Sequence, residues 1–345
     1  MRPVCLAAVP PTRRAILLAG FAALLPGAAV AQQQQQQQQQ AFPTRPVRLV
    51  VPIAPGGAND IIARLIAERL APVLGQPVVV ENRPGAGGNL GAAAVAQAEK
   101  DGHTLLFTSA NVLVANKWLY RTQMPIDPLR DLAPVTRVAV GTILLVVNAQ
   151  RPWRSLDELL AFARANPGRV TMGSSGTGTI SHLFLERLKR AAGVDITHVP
   201  YRGGSLAIQD LSAGAIDMMF DAIPALLPHI REGRFRPLAT GSAGRITYVP
   251  ELAGVPGMEE AMPGAGIDAL NWWSVVAPAG TPDGPIRALH TALARVMADE
   301  SLAAQLRPMS FLPTTDPSPE AFGAFWRAEE GKWRDLVEQS GARAE

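Results

Sequence analysis

Cysteine is almost absent from this chain. Cys5 is the only one in 345 residues, and everything after it therefore lacks a disulfide, a thiol nucleophile and a thiolate metal site. Cys5 also lacks the preceding small residues of a lipoprotein signal, so no lipid anchor is expected. An excess of one charge is missing too. The formal charge is +3, but Arg2, Arg13 and Arg14 sit in an N-terminal stretch without acids, and setting them aside leaves 29 basic against 29 acidic residues. A neutral chain has no electrostatic footprint for nucleic acid. No apolar run reaches the length of a transmembrane helix. No Walker pattern occurs, and Gly85-Ala86-Gly87-Gly88-Asn89-Leu90 misses a dinucleotide fingerprint because Leu90 stands where the third glycine belongs. No cofactor is expected.

What the N-terminus does carry is a leader pattern. Arg2, Arg13 and Arg14 form a charged region, Ala15 to Leu25 an apolar core, and Ala29-Val30-Ala31 a small-residue cleavage site. Residues 1–31 are read as a signal peptide cleaved near Ala31. Thr12-Arg13-Arg14-Ala15-Ile16-Leu17 also resembles a twin-arginine leader, but Leu18 stands where a lysine is usual, which favours Sec export. Residues 32–41 hold a glutamine tract and read as a disordered spacer.

The remaining chain is too long for one compact core, so two domains are expected. Apolar runs at 47–53, 77–81, 104–108, 142–148, 169–173, 196–200, 216–221, 236–240 and 272–277 alternate with helical patterns. The helical patterns fill 60–74, 88–98, 155–166, 179–192, 205–213, 225–232, 285–298 and 319–339. Such alternation predicts α/β architecture with mostly parallel sheets flanked by helices. Ligands of such sheets sit beyond the carboxyl ends of the strands.

Glycine-rich loops fall there. Pro55-Gly56-Gly57 leads into a helix through Asn59 and Asp60, and a helix N-terminus offers unpaired N–H groups to a small anion. The same glycines would equally make an ordinary tight turn. Gly85-Ala86-Gly87-Gly88 reads as close packing of a second helix start against the first. Ser174-Ser175-Gly176-Thr177-Gly178-Thr179 repeats the first theme with hydroxyls added; the alternative is a plain Ser/Thr cap. A serine nucleophile at Ser174 or Ser175 would make the chain an exported α/β serine hydrolase. The G-x-S-x-G spacing is missed, and His182 reads as a surface or capping residue. Tyr201, Arg202 and Gly203 form a third loop, where Tyr201 can stack on or hydrogen-bond a ligand and Arg202 can pair with a carboxylate. Asp217 and Asp221 share a strand face without further ligands, so no metal is expected; Asp221 reads as a site-rim or helix-cap residue. Of Trp272 and Trp273, one belongs in the core and the other at the cleft.

The ordered set Val51-Pro52-Ile53-Ala54-Pro55-Gly56-Gly57 with Asp60, Glu81-Asn82-Arg83-Pro84-Gly85-Ala86-Gly87-Gly88, Asp101-Gly102-His103-Thr104-Leu105, Gly173 to Gly178, His198-Val199-Pro200-Tyr201-Arg202-Gly203 and Ala277-Pro278-Ala279-Gly280-Thr281-Pro282 resembles the Bug-type solute-binding proteins of tripartite tricarboxylate transporters. The resemblance spans 42–337. It implies a periplasmic protein of type II-like architecture, with lobe 1 at 42–141 plus 268–345 and lobe 2 at 142–267, closing like a flytrap as a monomer. The implied ligand is a small mono- or dicarboxylate, delivered to transporter membrane components or to a sensor kinase. The carboxylate clamp carried over by motif is Pro55, Gly56, Gly57 and Asp60 on one side. Ser174, Ser175, Gly176, Thr177, Gly178 and Thr179 face it, with the far end of the ligand near the Tyr201–Gly203 loop. His103 departs from the tyrosine usual in the Asp-Gly-x-Thr-Leu motif.

Overall fold

The computed structural model describes residues 42–56, 58–177, 179–201 and 203–341. The expected leader and glutamine spacer lie outside them, as do Gly57, Gly178 and Arg202. In chain order the main elements begin with β1 (Val47–Val51), α1 (Ala58–Leu74), β2 (Val78–Asn82), α2 (Asn89–Ala96), β3 (Thr104–Ser109) and β4 (Leu132–Asn148). There follow α3 (Leu156–Ala165), β5 (Thr171–Ser174), α4 (Ile180–Ala192), β6 (Thr197–Pro200), α5 (Gly204–Ala213), β7 (Met218–Ala222), α6 (Ile223–Arg231) and β8 (Phe235–Thr240). The chain then runs through β9 (Leu270–Pro278), α7 (Asp283–Met297), α8 (Glu300–Leu306), β10 (Phe311–Pro313) and α9 (Pro319–Ser340). The α/β alternation predicted from periodicity is present.

The strands join in the order β2-β1-β3-β9-β4-β7-β5-β6, with β8 and β10 also paired to β4. Both ends of this order are parallel: β2-β1-β3 and β7-β5-β6. The strands between them, β9 and β4, run antiparallel to their neighbours. Parallel strands are covered on both faces, which is why they read as continuous apolar runs.

β4 ties the two ends together, and its sequence shows only half of it. Apolar patterning begins at Thr142, whereas the strand begins at Leu132. Its register against β9 shifts at Pro134/Thr136 and again at Arg137/Ala139. Each shift breaks the two-residue alternation, and the first absorbs a proline that has no N–H to donate. Beyond Thr142 both faces are buried. Ile143, Leu145 and Val147 join a core with α3 and α4, including Leu159, Leu185 and Leu188. Leu144 and Val146 join a separate core with Met219, Leu211, Leu226 and Phe235.

A third core lies around β1, β3 and β9, closed by α9. Ser318 caps α9 by accepting the Ala321 N–H at 3.2 Å. Phe322, Trp326, Trp333 and Val337 then recur at helical spacing and are buried. Trp272 is wholly buried among them, edge-on to Phe322 at 5.8 Å between centroids. Trp273, pointing to the other face of β9, lines a cavity. Among the described residues no helix is long and apolar enough to cross a membrane, and no cluster of three or more His, Cys, Asp or Glu is placed to hold a metal.

Candidate ligand-binding site

The β1–α1 loop is held from within. Asp60, buried in the first turn of α1, accepts the Gly56 N–H at 2.9 Å and the Asn82 amide at 2.9 Å, and Arg64 pairs with it at 3.0 Å. The Arg64 hydrogen bond leads the interactions that hold its carboxyl down at about 2. Both oxygens are therefore spoken for, and Asp60 shapes the loop rather than reaching a ligand. Gly56 has φ +88, in the region that favours glycine, and is exposed. Asn59 lies inside α1 and accepts the Trp273 indole N–H at 2.5 Å. The start of α2 packs on the chain beside β1 and β2: a Cβ at Gly91 would lie 2.8 Å from both the Arg83 carbonyl and Pro52.

The β5–α4 turn is the richer end. Thr179 caps α4 in extended conformation, and its Oγ1 donates to the Gly176 carbonyl at 2.6 Å. Its hydroxyl also lies 3.0 Å from that of Ser181, which in turn lies 3.3 Å from Ser175 Oγ. The first N–H groups of α4 have no intrahelical acceptor, so this hydroxyl cluster sits at the positive end of a helix.

Two cavities meet at this helix start, and both are lined by Ile180 and Asn271. One, of about 110 Å³, adds Thr142, Ser175, Ser181, Asp221, Trp273, Ser310 and Phe311. The other, of about 270 Å³, adds Gly87, Asn111, Asn116, Tyr120, Thr177 and Thr179. Asn116 is fixed there by donating to the Gly87 carbonyl at 3.0 Å and to Asn89 at 2.6 Å.

Matches to known proteins show the family. The sequence model described as "Tripartite tricarboxylate transporter family receptor" matches residues 62–341. The chain belongs to this receptor family. Protein BugT of Bordetella pertussis is 34% identical over 302 residues, covering 88% of this chain and 91% of that protein. Among solved structures, "R. palustris Rpa4515 with adipate" is 36% identical, with a TM-score of 0.75 over 88% of this chain and 99% of that one. "MatC (Rpa3494) from Rhodopseudomonas palustris with bound malate" is 32% identical, with a TM-score of 0.71 over 86% of this chain and 100% of that one.

Against this receptor fold, the expected site residues divide. Ser175, Thr177, Thr179 and Asp221 line the two cavities. Pro55, Gly56, Asp60, Ser174, Gly176, Tyr201 and Gly203 do not line them, and Gly57 and Gly178 lie outside the described residues. Tyr201 is turned inward: its hydroxyl donates to Asp210 at 2.6 Å, and burial together with that carboxylate pushes its pKa up to about 12. Gly203 caps α5 at φ +119. Ser174 is wholly buried, and its Oγ lies 2.6 Å from His198 Nε2. His182 is buried, not on the surface, because α4 turns it against His198, the two rings stacked at 4.0 Å. Asp221 keeps one oxygen on the Ala222 N–H at 2.7 Å, and burial pushes its carboxyl upward.

Sequence reasoning missed Asn271, Ser310, Phe311, Asn111 and Tyr120. Each lies in a different segment from the glycine loops, and Asn271 and Phe311 reach the cavities only through long-range strand pairing. Phe311, for example, sits edge-on to Trp273 at 4.7 Å because β10 pairs with β4.

Proposed function

We propose that this chain is a periplasmic receptor that holds a small carboxylate at the α4 N-terminus and passes it, as a monomer, to the membrane components of a tripartite transporter. The observation that carries the reading is the convergence of three hydroxyls, on Ser175, Thr179 and Ser181, at a helix start that opens on two cavities. A helix terminus contributes about 0.3–1 kcal/mol to an exposed anion and ~2 when partly buried. Hydrogen bonds to a charged group add about 1.5–3 kcal/mol each. A few such bonds, less the cost of ordering and closure, support micromolar affinity near about −8 kcal/mol. No buried cation is required. The adipate and malate held by two related structures are the first ligands to try.

Closure brings the β1–α1 loop, with Gly56 and Gly57, toward α4, with lobes at 42–141 plus 268–345 and at 142–267. Sensor kinases are a second outlet for the same liganded form. Export by the leader places the receptor in the periplasm.

A thermal-shift screen with small carboxylates tests the reading: a ligand at a hundredfold excess over its Kd raises stability by about 2.7 kcal/mol. The free acid must bind and its methyl ester or amide must not. In calorimetry Ser175→Ala weakens that acid by about 1–2 kcal/mol, roughly tenfold. Equal binding of acid and ester removes the anion clamp, and esterase activity lost in Ser175→Ala replaces the receptor with a hydrolase.

A further inference from the structure

The larger cavity, of about 270 Å³, is polar without being charged. Among the described residues no Asp, Glu, Lys, Arg or His lines it. Its polar walls are the amides of Asn111, Asn116 and Asn271 and the hydroxyls of Tyr120, Thr177 and Thr179. Two of the amides are oriented from behind. For Asn111 the order starts at Trp273, whose indole N–H can only donate. It donates to Asn59 Oδ1 at 2.5 Å, which leaves Asn59 Nδ2 to donate to Ser109 Oγ at 3.4 Å. The Ser109 hydroxyl in turn donates to Asn111 Oδ1 at 2.6 Å. Asn271 Oδ1 accepts the Trp272 backbone N–H at 3.0 Å, and a backbone N–H can only donate.

In both residues the oxygen is engaged by the protein and the amide nitrogen is left over. Neither nitrogen donates to a protein group, and neither is sealed from solvent as the unpaired Asn89 nitrogen is. Both therefore keep open surface on side chains that line the cavity. Asn116 differs, because its nitrogen is taken by the Gly87 carbonyl and by Asn89. Tyr120 adds a hydroxyl beside them. A Cβ on Gly87 would collide with that hydroxyl, so only bare backbone there leaves the phenol its place.

These walls narrow what can answer them. An ammonium meets no carboxylate here. An alkyl end strips water from the amide donors and gives no acceptor back, which is unfavourable. A carbonyl oxygen accepts from both. The donors carry no charge, so the oxygen needs none either. The cavity reaches the α4 start at Thr179 and Ile180, where the ligand carboxylate is placed.

We infer that this cavity receives the far end of the ligand, and that Asn111 and Asn271 read a carbonyl oxygen there by hydrogen bonding rather than by charge. The preferred ligands are acids with a second carbonyl at the far end, an amide serving as well as a carboxylate. This rests on the carboxylate-receptor reading and specifies the other end of the same ligand.

The test is calorimetry at pH 7.5 on the full mature protein with linear acids of four, five or six carbons. Each set comprises the plain monocarboxylate, the ω-amino acid, the dicarboxylate and its half-amide, which keeps the carboxylate that α4 holds. In the best set the half-amide and the dicarboxylate are expected to bind within about threefold of each other, and about tenfold tighter than the plain acid and the amino acid. Asn111→Asp and Asn271→Asp keep the side-chain shape and the oxygen that accepts from Ser109 or from the Trp272 N–H, but replace the open donor by an acceptor. Either is expected to erase the advantage of the half-amide over the plain acid, and the second serves if the first does not fold. A half-amide no tighter than the plain acid overturns the inference. So does a dicarboxylate that gains while its half-amide does not, since charge is then what is read, and so does an advantage that survives both variants. In each of these cases a bound acid leaves the receptor reading standing. If no acid of any set binds, both fall together.

Discussion

Replacing Asp60 by asparagine removes one charge from the loop that opens the fold, and the consequence is calculable. The carboxyl accepts from Gly56, Asn82 and Arg64, and its pKa falls from 3.8 to about 2. A shift of that size corresponds to about 2 kcal/mol of folding free energy at neutral pH. Arg64 is 52% exposed, so solvent screens part of it, and about 1–2 kcal/mol is the figure to expect. The sign follows from the direction. Folding lowers this pKa, so the contribution is complete above the unfolded value near 3.8 and is lost as pH falls through about 2. Urea unfolding followed by circular dichroism, at pH 7 and at steps from 4.5 to 2, reads it directly. Asp60→Asn should be less stable than wild type at pH 7, and the gap should close toward pH 2. A gap that stays constant with pH would mean that shape rather than charge holds the loop, and no gap at pH 7 would remove Asp60 from the loop's support altogether.

Other outcomes follow from the same contacts. Gly91→Ala places a Cβ 2.8 Å from the Arg83 carbonyl and from Pro52, and should cost about 1–3 kcal/mol in thermal denaturation; a neutral substitution would mean that α2 does not pack closely on Pro52 and Arg83. His198 is held down from 6.5 to about 4 by burial, then by His182 and Lys189. Its neutral form is favoured by folding, so stability should decline by about 1–2 kcal/mol as pH drops from 6.5 toward 4, and His198→Gln should flatten that decline in the same urea assay. Saturating carboxylate should shrink the radius of gyration in small-angle scattering, whereas an unchanged profile would argue against a closing cleft.

How much of this was readable beforehand depends on which interactions are local. β1, β5 and β7 lie in the parallel parts of the sheet, and an apolar run followed by a helical pattern identifies each without help from the rest of the chain. The α4 cap at Thr179 is local too. The first half of β4 was not readable, since its pairing with β9 shifts twice and Pro134 stands in the run. Polar residues in glycine loops were readable as residues but not as roles. Tyr201 looked free to meet a ligand until α5 brought Asp210 under its hydroxyl. Asn271 and Ser310 carried no local signal at all, because a cavity wall drawn from β9 and the turn before β10 exists only once β4 pairs with both.

The Ser174–His198 pair is the feature that most resembles catalysis, and its surroundings argue the other way. A serine nucleophile needs an exposed Oγ and a base that becomes stable when it takes the proton. Ser174 is wholly buried, and its hydroxyl also meets both the N–H and the carbonyl of Gly176 at 3.2 Å. His198 lies beside His182 and Lys189, both of which make its protonated form less favourable, where a triad would supply an acid. The register that pairs Met172 with His198 and Ser174 with Pro200 brings the imidazole beneath the β5–α4 turn. From there it braces Ser174, Ser174 fixes Gly176, and Gly176 accepts from Thr179. The chain of bonds ends at the hydroxyls of the two cavity-lining residues Ser175 and Thr179, so the buried pair serves to hold that turn in shape.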